Sequence, residues 1–401
     1  MVPRPLEGLI VADFTSMVAG PWCTRMLADC GARVVKIEAV GDGDIMRFQP
    51  PVVEGQSRAF ALYNCGKESV SLDLKTPEGL ASARGLIARA DIVVENYRPG
   101  VMKRLGLDYE TVAADHPKLV YCSISGFGQT GTLARRPAYA PLVHAYSGFD
   151  SVFASIQGGD GKPPVCGVMI ADVLAASYAF GAIQTALLHR DRNGLGSHVD
   201  VSLMESAMTL VGLQFQAAQS AKPPQPFVFE PVATSDGYIM VALVSVKTYL
   251  SAYPVIGHPE WVSDPEYNCL AGTMRNRRQI METLGQWTSS RTAVECERLM
   301  SDAGVPCSVY CSPGDQLQNP HLIERGAFQT MHDGDGPFVV LNPPFRLSSA
   351  DCSARAMVAR QGEHTGDHLR ENDPAAVEFL TQPSSDSKFQ FSVPETGKTP
   401  T

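Results

Sequence analysis

Five short apolar runs are spaced through the first part of the chain: LIVADF (Leu9–Phe14), ARVVKIE (Ala32–Glu38), ESVSLDL (Glu68–Leu74), DIVVEN (Asp91–Asn96) and KLVYCSIS (Lys118–Ser125). Helical stretches separate them. One is Trp22–Cys30, after the turn at Gly20 and Pro21; another is Pro77–Ala90, where proline suits a first helical turn. Near-continuous apolar strands that alternate with helices form parallel sheets covered on both faces. The spacing therefore predicts an α/β fold with a Rossmann-like parallel sheet in a large domain.

Downstream the pattern changes. Val165–Leu188 is long and apolar enough to suggest a membrane span, but Asp172 and Gln184 interrupt it and it has no aromatic belt. It is read as a buried helix from about Asp172 to His189, closed by the turn in RDRNGLGSH. His198–Met208 reads as a strand entering a helix, and the proline cluster KPPQP (Lys222–Pro226) as a linker. Beyond it, SDGYIMVAL and GVPCSVY read as strands, with helices around Lys247–Gly257, Arg275–Ser289 and Ala293–Ala303. The expected division is a large Rossmann-like domain at 1–220, a smaller α+β domain at 221–330, and a return to the large domain with a tail at 331–401. Phe338–Ser348 begins that return as extended chain. The last twenty residues are polar and proline-punctuated, and are expected to be mobile unless a partner holds them.

The net charge of −9 argues against nucleic acid or an anionic membrane as partner. The 10 cysteines are scattered and read as thiols of a reducing compartment. With no basic leader before an apolar run, a cytoplasmic location is expected. No G-x-G-x-x-G follows the first strand: the chain reads TSMVAGPWC there. No P-loop, H-E-x-x-H or G-x-S-x-G occurs, and the histidines have no metal-like spacing. His144, in an apolar run, reads as a satisfied core histidine. That leaves Asp172, one carboxylate in an apolar segment. Such a charge must be paired, hydrogen-bonded or neutralised. Two roles fit it: a helix N-cap, or a weakly solvated nucleophile towards an activated carbonyl.

Several blocks in order and spacing resemble the class III CoA-transferases of the formyl-CoA transferase and carnitine CoA-transferase type. They are LEGLIVADFTSMVAGPWCTRMLADCGARVVKIEAVGDGD, NCGKESVSLDLKTPEG, ADIVVENYRPGVMKRLGL, YCSISGFGQTG, RPAYAPLVHAYSG, GVMIADVLAASYAFGAI and RDRNGLGSHVDVSLMESA, with GVPCSVY and GEHTGDHL nearer the C-terminus. The resemblance covers about residues 5–375. It implies that Asp172 attacks an acyl-CoA thioester and passes through a mixed anhydride and an aspartyl-CoA thioester. It also implies that CoA is held by Val18, Leu72, Lys75, Asn96, Tyr97 and Arg104. Lys75 and Arg104 suit phosphates and Tyr97 an adenine face. Gln129 and Tyr139 are weaker candidates for the substrate wall, and Arg98 ranks below the CoA set. The resemblance further implies an interlocked homodimer, CoA thioester as substrate, no metal and no permanently bound cofactor.

An α-methylacyl-CoA racemase shares this fold, but its histidine and aspartate would fall at Tyr139 and Ala140. A silent CoA-binding subunit would not need Asp172. Two departures bear on the substrate. The segment PPQPFVFEPVATSDG lacks the glycine run some members carry after the hinge, and Val18 replaces the polar residue of oxalate-handling members. Exchange between succinyl-CoA and a C4–C5 dicarboxylate is expected, with Arg47, Arg135 and Arg136 as candidates for the distal carboxylate.

Overall fold

The computed structural model describes residues 2–157, 162–163, 165–221 and 229–372. The proline cluster at Lys222–Pro226 and the C-terminal tail lie outside the described residues. Contacts divide the chain into two compact units: Met1–Ser220 with the chain from Gly326 onward, and Ala221–Arg325.

The large unit is built on one wholly parallel sheet. Its strands are β1 (Ile10–Phe14), β2 (Arg33–Ala39), β3 (Glu68–Leu72), β4 (Ile92–Glu95), β5 (Val120–Ser125) and β6 (Ser197–Ser202). They lie in the order β3–β2–β1–β4–β5–β6. This is the order of dinucleotide-binding folds, without their glycine fingerprint. The helices used below are α1 (Ala19–Asp29), α2 (Pro77–Arg89), α3 (Ala140–Tyr146), α4 (Phe149–Gln157), α5 (Ile170–Asn193) and α6 (Leu203–Leu210). Successive strand residues point to opposite faces. Val11, Val34, Val94 and Cys122 accordingly share a core with α1, α5 and α6, whereas Ala12, Val35, Val93 and Tyr121 share the other with α2. The strands are apolar on both faces because both are covered.

Helix α5 begins two residues before, and ends four residues after, the span read from sequence, and Gly194 caps it in the left-handed conformation with φ of 74°. It is the one helix among the described residues long and apolar enough to cross a membrane. Its buried positions Ala171, Ala175, Ala176, Ala179 and Ile183 instead belong to the core shared with α1. The four alanines among them let the two helices approach closely.

In the smaller unit, Pro231–Ala233, Tyr238–Val241 and Cys307–Val309 form an antiparallel sheet. Ile239, Tyr253, Trp261, Ile280 and Met300 fill its core together with the helices Val246–Val255, Arg277–Ser289 and Ala293–Asp302. Back in the large unit, Phe328–Asp333 pairs antiparallel with Gly336–Leu341.

Candidate active site

Strand order reverses between β1 and β4, so the loops leaving those strands diverge and open a crevice at their carboxyl ends. The β1–α1 loop, from Thr15 to Val18, is fixed there by buried side chains. Asp13 accepts from Thr15 N at 2.9 Å, Thr24 Oγ1 at 2.7 Å and Lys67 Nζ at 3.1 Å. Lys36 Nζ donates to Thr15 O at 2.7 Å and pairs with Asp44 at 2.9 Å. Asp44 Oδ1 accepts from Met17 N at 3.2 Å. Asn96, one residue past β4, braces the loop twice: its Oδ1 accepts from Ser16 N at 2.9 Å and its Nδ2 donates to Ser16 O at 2.8 Å. Burial opposes ionisation of Asp13, but Lys67 and Lys36 outweigh it and hold its carboxyl below the usual range. Burial also brings Lys67 down to about 8.

These bonds hold Met17 at φ of 70°, a left-handed conformation uncommon for a residue with a side chain. Gly20 then lets α1 start against the loop: a Cβ at that position would fall 2.3 Å from the Thr15 Cβ.

Asp172 is not the N-cap of α5. Met169 holds that position, without a side-chain bond, and Asp172 is the third helical residue. The side chain that serves the helix start is His144 on α3, whose Nε2 accepts from Ala171 N at 3.1 Å. A backbone N–H can only donate, so that ring nitrogen carries no proton. Burial keeps His144 below its ordinary pKa, against the charge of Asp150. The satisfied histidine expected from sequence is thus also a wall of the site.

Burial pushes Asp172 up to about 6, while its own N–H and that of Ala19 favour the ionised form. Ala19 is the first residue of α1, so the positive end of a second helix faces the carboxyl. Asp172 opens onto a cleft of about 430 Å³ that Met17, Val18, Tyr139, His144 and Asp150 also line. A half-buried carboxylate beside apolar walls and backbone donors can act as a nucleophile, and the donors can stabilise an oxyanion formed next to it.

The structure brings Val18 and Tyr139 to this cleft, but not Gln129. Gln129 N donates to Asp200 Oδ2 at 2.9 Å in a separate cleft of about 400 Å³, off the carboxyl ends of β4, β5 and β6. There Ser123 Oγ and His198 Nε2 lie 3.0 Å apart, and burial pushes Glu95 up to about 7. Leu72 is buried, with Tyr97 half-buried against the same core cluster. Asn96 is engaged by Ser16, and Lys75 and Arg104 are exposed.

None of the three arginines proposed for a distal carboxylate lines the Asp172 cleft. Arg47 pairs with Glu38 at 2.6 Å, Arg135 borders the second cleft, and Arg136 lies over the rings of Phe127 and Tyr146. Sequence reasoning missed Asp13, Lys36, Asp44 and Lys67. Their one signal was charge inside otherwise apolar strands and loops. Asp150 gave none.

A family model described as CoA-transferase family III matches residues 6–365. The chain is 33% identical to a succinate–glutarate CoA-transferase of Agrobacterium fabrum, over 92% of this chain and 95% of that one. It is 35% identical to an acetyl-CoA:oxalate CoA-transferase of Acetobacter aceti, covering 86% and 90%. Among solved structures, a CaiB/BaiF family protein from Brucella suis superposes with a TM-score of 0.79 at 30% identity, covering 92% of this chain and 100% of that one.

Proposed function

The chain belongs to CoA-transferase family III, and we propose that it moves CoA from an acyl-CoA to a small carboxylic acid with Asp172 as the group that is acylated. The observation that carries this is the Asp172 carboxyl itself: pushed up to about 6 by burial, it faces an apolar cleft and the N–H of Ala19. The carboxylate attacks the thioester carbonyl, the C–S bond breaks, and CoA leaves as thiolate. The resulting anhydride joins Asp172 to the first acid. The thiolate then attacks the aspartyl carbonyl, releasing that acid and leaving aspartyl-CoA. The incoming carboxylate repeats the two steps in reverse and departs as the new thioester. Anhydride and thioester are comparably activated, so covalent catalysis divides the transfer into steps of similar height. The N–H groups at the start of α1 would hold the oxyanions.

Val18, Leu72, Lys75, Asn96, Tyr97 and Arg104 remain our CoA-binding set, with Asn96 acting through the Ser16 backbone and Leu72 as the packed floor beneath Tyr97. The names of relatives acting on succinate and glutarate support a succinyl donor and C4–C5 acids as partners. An interlocked homodimer is part of the proposal, supported by large apolar side chains left exposed on α5, among them Tyr178 and Leu188. So is a cytoplasmic setting, supported by cysteines that all stand as free thiols.

The test is an exchange assay with succinyl-CoA and a panel of acids, in deuterated water. Acceptor-dependent formation of the new thioester is expected, abolished in Asp172→Ala. Unchanged transfer by Asp172→Ala contradicts the proposal, and deuterium entering the α-carbon without transfer points to racemisation instead.

A further inference from the structure

The GEHTGDHL block near the C-terminus takes no part in the transfer chemistry, yet it is built into the sheet. Strand β3 stands at one edge and pairs with β2 on one side. On its other side His364 N donates to Ser69 O at 2.9 Å. Ser69 N donates to His364 Nδ1 at 3.2 Å, and Ser71 N to Thr365 Oγ1 at 3.0 Å. The block thus satisfies backbone groups that an open edge leaves unpaired.

One bond of the block leads further. Gly362, at φ of 70°, donates its N–H to Ser69 Oγ at 2.9 Å, and Ser69 Oγ donates to Glu38 Oε1 at 2.6 Å. Glu38 lies on β2. Its Oε2 accepts from Arg47 Nε at 2.7 Å and from Asp44 N at 3.1 Å. Asp44 Oδ1 in turn accepts from Met17 N. Bond by bond, the chain runs from Gly362 to the β1–α1 loop. Ser69, Glu38 and Asp44 are all buried, so water does not stand in for a missing member. Burial opposes the charge of Glu38, but Arg47, Lys36 and Ser69 outweigh it and hold its carboxyl below the usual range. A left-handed residue such as Met17 keeps its conformation only while its surroundings over-determine it. Lys36 holds the carboxyl of Asp44, and Glu38 holds its backbone. Without the second tether Asp44 can turn about the first and release Met17 N.

We propose that Gly362 and Ser69 are positioning residues for the reaction: through Glu38 and Asp44 they keep the β1–α1 loop in the conformation that presents the Ala19 N–H to Asp172. The inference rests on the proposed acylation of Asp172, which makes that N–H part of the site. His364 and Thr365 brace only the edge strand, and so supply the control.

The experiment compares the full native chain with three variants. Ser69→Ala removes the bridge, Ser69→Thr keeps a hydroxyl there, and Thr365→Val breaks the bond to Ser71 N while leaving the bridge intact. Hydrogen exchange of residues 15–19, read by mass spectrometry well below melting, should be about tenfold faster in Ser69→Ala. Its kcat/KM with succinyl-CoA and glutarate should fall about tenfold as well. The acid limb of kcat/KM should move upward, because Asp172 loses a donor that favours its ionised form. Ser69→Thr should retain most of the native behaviour. Thr365→Val should lower the melting temperature and leave the loop exchange and the acid limb in place. Glu38→Gln breaks the same chain should Ser69→Ala fail to fold. Loop exchange and acid limb unmoved in Ser69→Ala, or moved equally in Thr365→Val, overturn the inference. Faster loop exchange in Ser69→Ala together with transfer that persists in Asp172→Ala overturns the acylation of Asp172 and keeps the positioning of the loop.

Discussion

Asp172 is held at a compromise. Burial raises its pKa to about 6, yet the chemistry needs the ionised form. The acid limb of kcat/KM should therefore lie near pH 6 rather than near 4. Activity should fall about tenfold between pH 7 and pH 5, as the ionised fraction does. His144→Gln separates this from loss of the helix support, because the amide oxygen can still accept from Ala171 N and the limb should remain. A limb near pH 4 would show that Asp172 is not the titrating group. The same shift has a cost in stability. The folded state binds the proton more tightly than the unfolded chain, so stability drops as pH rises from about 4 to 6 and stays lowered above. Asp172→Asn should then gain about 1–2 kcal/mol at pH 7 and nothing at pH 3.5. Asp172 was legible in the sequence because a lone carboxylate in an apolar segment needs a reason. Asp150 and His144 were not legible as its neighbours. They lie 22 and 28 residues before it on other helices, and only the fold sets them around one cleft.

Among the elements, the β1–α1 loop decides the geometry. It takes the place of a glycine-rich turn, and its left-handed residue is Met17. Side chains from neighbouring strands supply the constraint that glycine freedom would otherwise make unnecessary: Asp13 from β1, Lys36 from β2 and Asn96 just after β4. Removing both bonds from Asn96 to Ser16 should free the backbone that presents Val18 and Ala19 to Asp172. At about 1 kcal/mol per bond, Asn96→Ala should lose about 10- to 50-fold in kcat/KM. Asn96→Asp, which keeps the acceptor but not the donor, should lose less. Unchanged kcat/KM in Asn96→Ala would show that the loop holds without it. Strands β1 to β5 and helix α2 were readable within a few residues because apolar periodicity encodes them directly. The braces were not, because a bond from a side chain to the backbone beyond a neighbouring strand has no local pattern. Of the two roles open to Asp172, the N-cap failed for a related reason: Met169 holds that position and the helix start is served by His144 from another element.

At the scale of the molecule, the crossover in strand order is what joins the parts. It opens the crevice between β1 and β4, and α5 delivers Asp172 to it beside a loop more than 150 residues earlier in the chain. The parallel sheet was legible from its five apolar runs, and the α+β character of the smaller unit from its change of pattern. Which residues border the second cleft was not: Gln129, which the resemblance offered as a weaker candidate for the substrate wall, lines that cleft. The acylation of Asp172 is the claim on which the rest depends, and trapping tests it most directly. The full chain is incubated with succinyl-CoA and hydroxylamine, digested and examined by mass spectrometry. A hydroxamate on Asp172, formed only when the thioester is present, is the predicted result. Transfer at the normal rate with Asp172 unmodified, or in Asp172→Ala, would contradict it.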